Sequence, residues 1–418
     1  MAAPLRRQPR DLVATAAITA VAVAAVGGAW LTAPVRSAHL NTAAEPALNQ
    51  PDLAVAPDHL SEVFTAESAE LPGVYRPVAD NGLTISHDTH TVRALDDTGA
   101  ELWSYSREDR EICSLALAWD KVVVTYRTGV GCGDVVALRS SDGRYDGTRS
   151  STNDNAPFVL TSNDRVGLVG PTRLEIWRSD LVRTVEYGEV EAKQEPGLQP
   201  HEDCEITSAL TRTEMLAVTE VCPGSPDILG SPSTAMLRMM DATPDESRTP
   251  EIESSAELPS PDARLVAIGQ DSAAVHSPGE ATELISYHRD GHELARSTIQ
   301  PAPVMDGAQG VFLPPTADLP HHMTWFDGSR LYLLKPDSLE VTSIVEDALG
   351  TGVGVDDRAL VPVAEGIAVV DWATGQTERV IPVDRQGYDG PVHLRVSGDV
   401  LVESRGDTLV GLSPDQRP

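Results

Sequence analysis

Lysine is almost missing from this chain, with only Lys121, Lys193 and Lys335 among 418 residues. Lysine and arginine together number 32 against 63 carboxylates, a formal charge of −31. A field of that sign repels phosphate backbones and anionic lipid headgroups, so no nucleic-acid partner is expected. Aromatic residues are scarce, at 4%, which leaves little to stack on a planar cofactor. No pattern of helical period is sustained after residue 60, which disfavours helix-rich folds. The chain also lacks a G-x-S-x-G elbow, a G-K-[ST] phosphate loop, a D-x-[DN]-x-[DN]-G calcium loop and a C-x-x-C pair. Those gaps remove support for nucleophilic hydrolysis, nucleotide binding, calcium binding and thiol redox chemistry. The balance leans away from an enzyme, and no catalytic, cofactor or metal residue is expected.

One long apolar run is present. Residues 12–34 carry no charge and follow Arg6, Arg7 and Arg10. At about 1.5 Å per residue the run is long enough to cross a bilayer. Arginine on its N-terminal side places residues 1–11 in the cytoplasm and everything after the run outside it. A cleaved signal peptide has the same order of regions. The run is long for one, however, and the candidate cleavage sites at Val35-Arg36-Ser37 and Thr42-Ala43-Ala44 are poor matches. The expectation is therefore an uncleaved signal anchor in the cytoplasmic membrane. No cysteine follows the run closely, which excludes a lipid-modified anchor. Residues 35–60, rich in Ala, Pro and Asn without period, read as a linker.

From residue 61 onward a unit recurs: a β-branched strand, a polar turn with Asp or Gly, and a second strand. The clearest copy is Val92–Trp103, and weaker ones follow to the C-terminus. Turns near 99, 143, 181, 245, 291, 338, 375 and 415 are spaced by about 45 residues, the length of a four-stranded propeller blade. Two further short alternating runs precede most units, completing four strands each. The last unit stops before its final strand, and Ser61–Ser68 can supply it by closing the ring. The expected fold is all-β, an ectodomain over 61–418 of eight four-stranded antiparallel blades, with seven as the alternative because the units at 245 and 338 are degenerate.

The four cysteines, Cys113, Cys132, Cys204 and Cys222, all follow the apolar run. Outside the cytoplasm they are expected to oxidise. Each pair brackets two consecutive strands, and antiparallel neighbours bring the start of one beside the end of the next. The expected bridges are Cys113–Cys132 and Cys204–Cys222, both structural.

The stretch ALDDTGAELW (94–103) resembles the repeat of pyrroloquinoline-quinone-type, or quinoprotein-like, propellers. WDKVVVTYRTGVGCG (119–133) and TRLEIWRSDLVRTVEYG (172–188) resemble a family of membrane-anchored actinobacterial propeller proteins. The resemblance covers most of residues 60–415 and implies a fold and a location, not a reaction. True quinoproteins repeat a turn glycine and a closing tryptophan in nearly every blade. In this chain the tryptophan is clear at Trp103 alone, and the glycine at Gly99, Gly143, Gly291 and Gly375.

Other motifs carry bland readings. His321-His322 point to opposite faces in a strand and read as solvent-exposed. Gly350–Gly354 reads as a flexible turn between blades, and Asp96-Asp97 and Asn153-Asp154-Asn155 as turn formers. The acidic, Pro-rich segments 189–203 and 243–261 are the candidate partner-binding loops. The expected function is a non-enzymatic scaffold in the cell envelope that binds an exported or membrane protein. The alternatives are a quinone- or metal-dependent oxidoreductase, or a small-ligand or glycan receptor.

Overall fold

The computed structural model describes residues 8–190, 196–224 and 233–414. Arg6, Arg7, the middle of the 189–203 loop and the last four residues lie outside them. Alternating β-branched runs punctuated by short polar turns build eight antiparallel sheets. Blades one to seven span residues 78–107, 112–150, 158–188, 205–257, 264–299, 316–345 and 353–382. Blade eight takes three strands from residues 392–413 and its fourth from Ser61–Glu67, which pairs antiparallel with Thr408–Ser413. The N-terminal strand thus closes the ring and covers the edge that the last unit leaves open. Both degenerate units are complete blades, which decides for eight over seven.

The repeat's chemistry is clearest at the turn between the third and fourth strands. One residue there is left-handed in six blades: Gly99, Gly143, Gly291 and Gly375, with Leu181 and Leu339 at the same place. In blades two, three, five and seven this turn packs against the outer strand of the preceding blade. A Cβ on Gly143 would lie 2.7 Å from the Trp103 ring, and one on Gly375 would meet Ser343 Cβ. The turn glycine of blade one meets Phe64 of the closing strand in the same way. Trp103 also donates its indole N–H to the Ser140 carbonyl at 2.6 Å. The motif is therefore a blade-to-blade contact in which Phe or Ser can replace tryptophan.

Inner strands are buried on both faces, whereas outer strands such as Ile252–Glu257 alternate between half-buried and exposed residues. The middle of the ring is spanned by the chain itself. Tyr75, before blade one, donates its hydroxyl proton to Leu313 O, before blade six, at 2.9 Å. Phe312 N–H donates to Thr207 O in blade four, and Arg212 pairs with Asp318 at 2.9 Å. The Tyr75 and Phe326 rings both lie against His393 of blade eight. Contacts between blades that are not neighbours must cross the centre, so segments 71–77 and 311–318 occupy it.

The apolar helix runs Pro9–Leu31, three residues earlier at each end than the sequence run suggests. Pro9 opens it at the first helical position, and Gln8 and Asp11 form a capping box. It is the one helix among the described residues long and apolar enough to cross a membrane, and none of its side chains is buried. The stretch read as a linker is not free. Ala38–Asn41 adds a fifth strand to blade one against Ser104–Arg107. Farther on, Leu53 N–H donates to Gly398 O, and Arg379 donates to the carbonyls of Ala56 and Pro57. Ala43 and Ala47 N–H donate to Asp142 O and Ser141 O of blade two, so the segment is strapped across blades one, two, seven and eight.

Candidate arginine-lined cleft

Both expected disulfides are present, Cys113–Cys132 and Cys204–Cys222, with Cα–Cα distances of 6.0 and 4.2 Å. Cys113 sits at the register shift between Ile112 and Ser114, where a bulge brings it toward the next turn.

The two loops singled out in the sequence come together beside blade three. Gln199, buried, donates to Glu186 O and Arg248 O, and accepts from Gly188 N–H through its side-chain oxygen. Glu186 N–H donates to Ser247 O. These bonds bring Arg248 to the edge of a cleft of about 500 Å³ between blades two and three. The lining holds five arginines, at 110, 149, 173, 183 and 248, against the carboxylates Asp134, Glu175 and Glu186.

Two buried carboxylates organise it. Glu175 accepts from Arg149 Nε at 2.8 Å, Ser151 Oγ at 2.9 Å, Trp177 Nε1 at 2.6 Å and Arg173 at 3.1 Å. Burial pushes the Glu175 carboxyl up, but Arg149, Trp177, Arg183 and Ser151 together outweigh it and hold the group below its ordinary value. Glu186 pairs with Arg173 at 2.5 Å and Arg183 at 2.7 Å. Burial lowers the Arg183 guanidinium, and nearby Arg149 and Arg248 lower it further against the pull of Glu186 and Glu175. The Nε–H groups of Arg173 and Arg183 are buried without a partner among the described residues. Donors in excess of acceptors, held rigidly at a cleft, are arranged to receive a carboxylate, sulfate or phosphate group.

Other sequence candidates resolve differently. His321 is exposed, 3.7 Å from Asp357, and His322 is half-buried; neither lies in a strand, and both rings lie against Trp372, His322 stacked and His321 edge-on, so the two do not point to opposite faces. Gly350–Gly354 is not a flexible turn. Val392 N–H donates to Leu349 O, and a Cβ on Gly350 would lie 1.9 Å from Val392 O, so glycine permits close approach of blades seven and eight. Trp103, Trp177 and Trp325 are each at most 1% exposed, inside or between blades, and none can stack on a ligand. The cleft itself was not legible in the sequence, because its arginines are spread over residues 110–248.

The fold and the repeat together define an eight-bladed β-propeller of four-stranded antiparallel blades, as the quinoprotein-like resemblance implied. No protein-family model and no curated protein sequence matches the chain. Among solved structures it is similar to BamB from Moraxella catarrhalis, at 12% identity over 86% of this chain and 99% of that one, TM-score 0.49. It is similar also to AztD from Citrobacter koseri, at 14% over 77% and 88%, TM-score 0.45. A third is PorZ, an essential bacterial surface component of the type-IX secretion system of Porphyromonas gingivalis, at 13% over 82% and 42%, TM-score 0.43. These are likenesses of fold.

Proposed function

We propose that this chain is a propeller anchored in the cytoplasmic membrane by residues 12–34 and held outside the cytoplasm, where it works as a non-enzymatic docking module. Its partner is an exported or membrane protein that presents an acidic segment to the cleft. The observation that carries this reading is the convergence of five arginines on one cleft in a chain of net charge −31. The Pro9–Leu31 helix supports the anchor. Two disulfides support an oxidising compartment. A receptor role through the central channel has less support, because segments 71–77 and 311–318 fill that space.

Mild crosslinking of the full-length protein in its native membrane, followed by detergent purification, tests the reading. One envelope protein should be enriched, and Arg248→Glu should abolish its capture, because Arg248 makes no ion pair among the described residues. No enriched protein, or capture indifferent to Arg248→Glu, would overturn it.

A further inference from the structure

In blade five the turn between the third and fourth strands reads His288-Arg289-Asp290-Gly291-His292. His288 N–H donates to His292 O at 2.9 Å, so the two histidines are the closing pair of a hairpin and project side by side, with ring centroids 4.9 Å apart. Asp290 reaches back between them, 3.1 Å from His288 Nδ1 and 2.5 Å from His292 Nδ1. One ligand atom from each residue lies within 4.8 Å of the other two, and all three side chains reach solvent.

We propose that His288, Asp290 and His292 form a surface site for a divalent transition-metal ion of the zinc class. Two imidazoles and one carboxylate are the donor set such ions prefer over calcium or magnesium. Bonds of roughly 2.1 Å at tetrahedral angles hold ligand atoms roughly 3.4 Å apart, so the 3.1 Å His288–Asp290 spacing nearly fits and the 2.5 Å His292–Asp290 hydrogen bond opens to admit the ion. Three protein ligands leave the remaining position to water.

Turn chemistry alone does not call for this trio. The equivalent closing pairs are Asp96/Ala100, Arg139/Arg144, Arg178/Val182, Lys335/Glu340 and Asp371/Gln376, so the hairpin closes without histidine. The turn is also braced from beneath. Ser254 Oγ, in the outer strand of blade four, donates to Arg289 O at 2.7 Å, and the Arg289 guanidinium is held by Glu253 and Asp271. A buttressed backbone presents the ligands without an ordering cost at binding, as outer contacts do in metal centres.

Titration of the full-length protein in detergent with Co²⁺ alone tests this, read by ligand-field absorption and by calorimetry. One ion per chain is expected, displaced by Zn²⁺. His288→Gln/His292→Gln should abolish the signal, Ser254→Ala should weaken binding by roughly tenfold, and His321→Gln/His322→Gln should leave it unchanged. A wild-type protein that gives no signal, or a signal surviving the double substitution, would overturn the site. Should the double variant fail to fold, His292→Gln alone, checked by its melting curve, must still lose most of the signal.

Discussion

At the residue scale, buried charge and buried histidine govern how stability follows pH. His276 is 3% exposed with neither ring nitrogen bonded, and burial lowers its pKa to about 4. Burial, with Arg76 nearby, lowers His393 to about 3. Both histidines titrate near 6.5 when unfolded, so below that the unfolded chain binds more protons and stability falls with pH, by about 1.4 kcal/mol per unit for each. The loss runs from near 6.5 down to about 4 for His276 and about 3 for His393. Chemical denaturation at successive pH values should show the decline, and His276→Leu should flatten it. Glu175 adds a loss of the same sign at lower pH, because its depressed pKa stabilises the fold only while the group is ionised.

At the element scale, the turn between third and fourth strands links one blade to the next. Gly143→Ala would place a Cβ against Trp103 at a φ of +75°, and should destabilise by about 2 kcal/mol or more. Trp103→Ala removes a fully buried ring and an indole hydrogen bond, so its cost should reach about 3–5 kcal/mol; denaturant midpoints measure both. Leu339→Gly relieves an unfavourable φ worth roughly 1–2 kcal/mol but deletes a buried side chain worth roughly 2–5 kcal/mol. The second effect wins, and a net destabilisation is expected. The disulfides act on the same scale: each bridge joins residues 18 or 19 apart, a loop worth about 3 kcal/mol. Reduction should lower the melting temperature, and Cys113→Ala/Cys132→Ala should reproduce part of that shift.

At the scale of the whole molecule, closure depends on Ser61–Glu67. A chain beginning after residue 68 would leave Thr408–Ser413 as an open edge and should aggregate, whereas one beginning at residue 38 keeps both the closing strand and the strap. Light scattering of the two separates these outcomes. Phe64→Ala tests the same seam more gently, because Phe64 lies over Gly99 and Gly411.

The repeat, the closing strand, the disulfide pairing and the apolar segment were all legible in the sequence. Each is written in short-range pattern: strand alternation, a turn residue at fixed offset, a spacing of about 45 residues, an uncharged run. The turns near 181 and 338 were legible too, but not that Leu181 and Leu339 would take the glycine's left-handed place in them, since leucine is not expected at positive φ; Ser254 and Ser343 hid two copies of the contact that tryptophan makes in blade one. What only the tertiary structure decided depends on residues far apart in the chain. Arg110 and Arg248 share a cleft because blades two and three are adjacent and a loop of blade four reaches back. Tyr75 meets Leu313 because a ring has a centre that its segments can cross, and residues 38–58 lie on the rim because donors and acceptors of four blades receive them there. Local sequence specifies the blade; only closure of the ring determines which surfaces face one another.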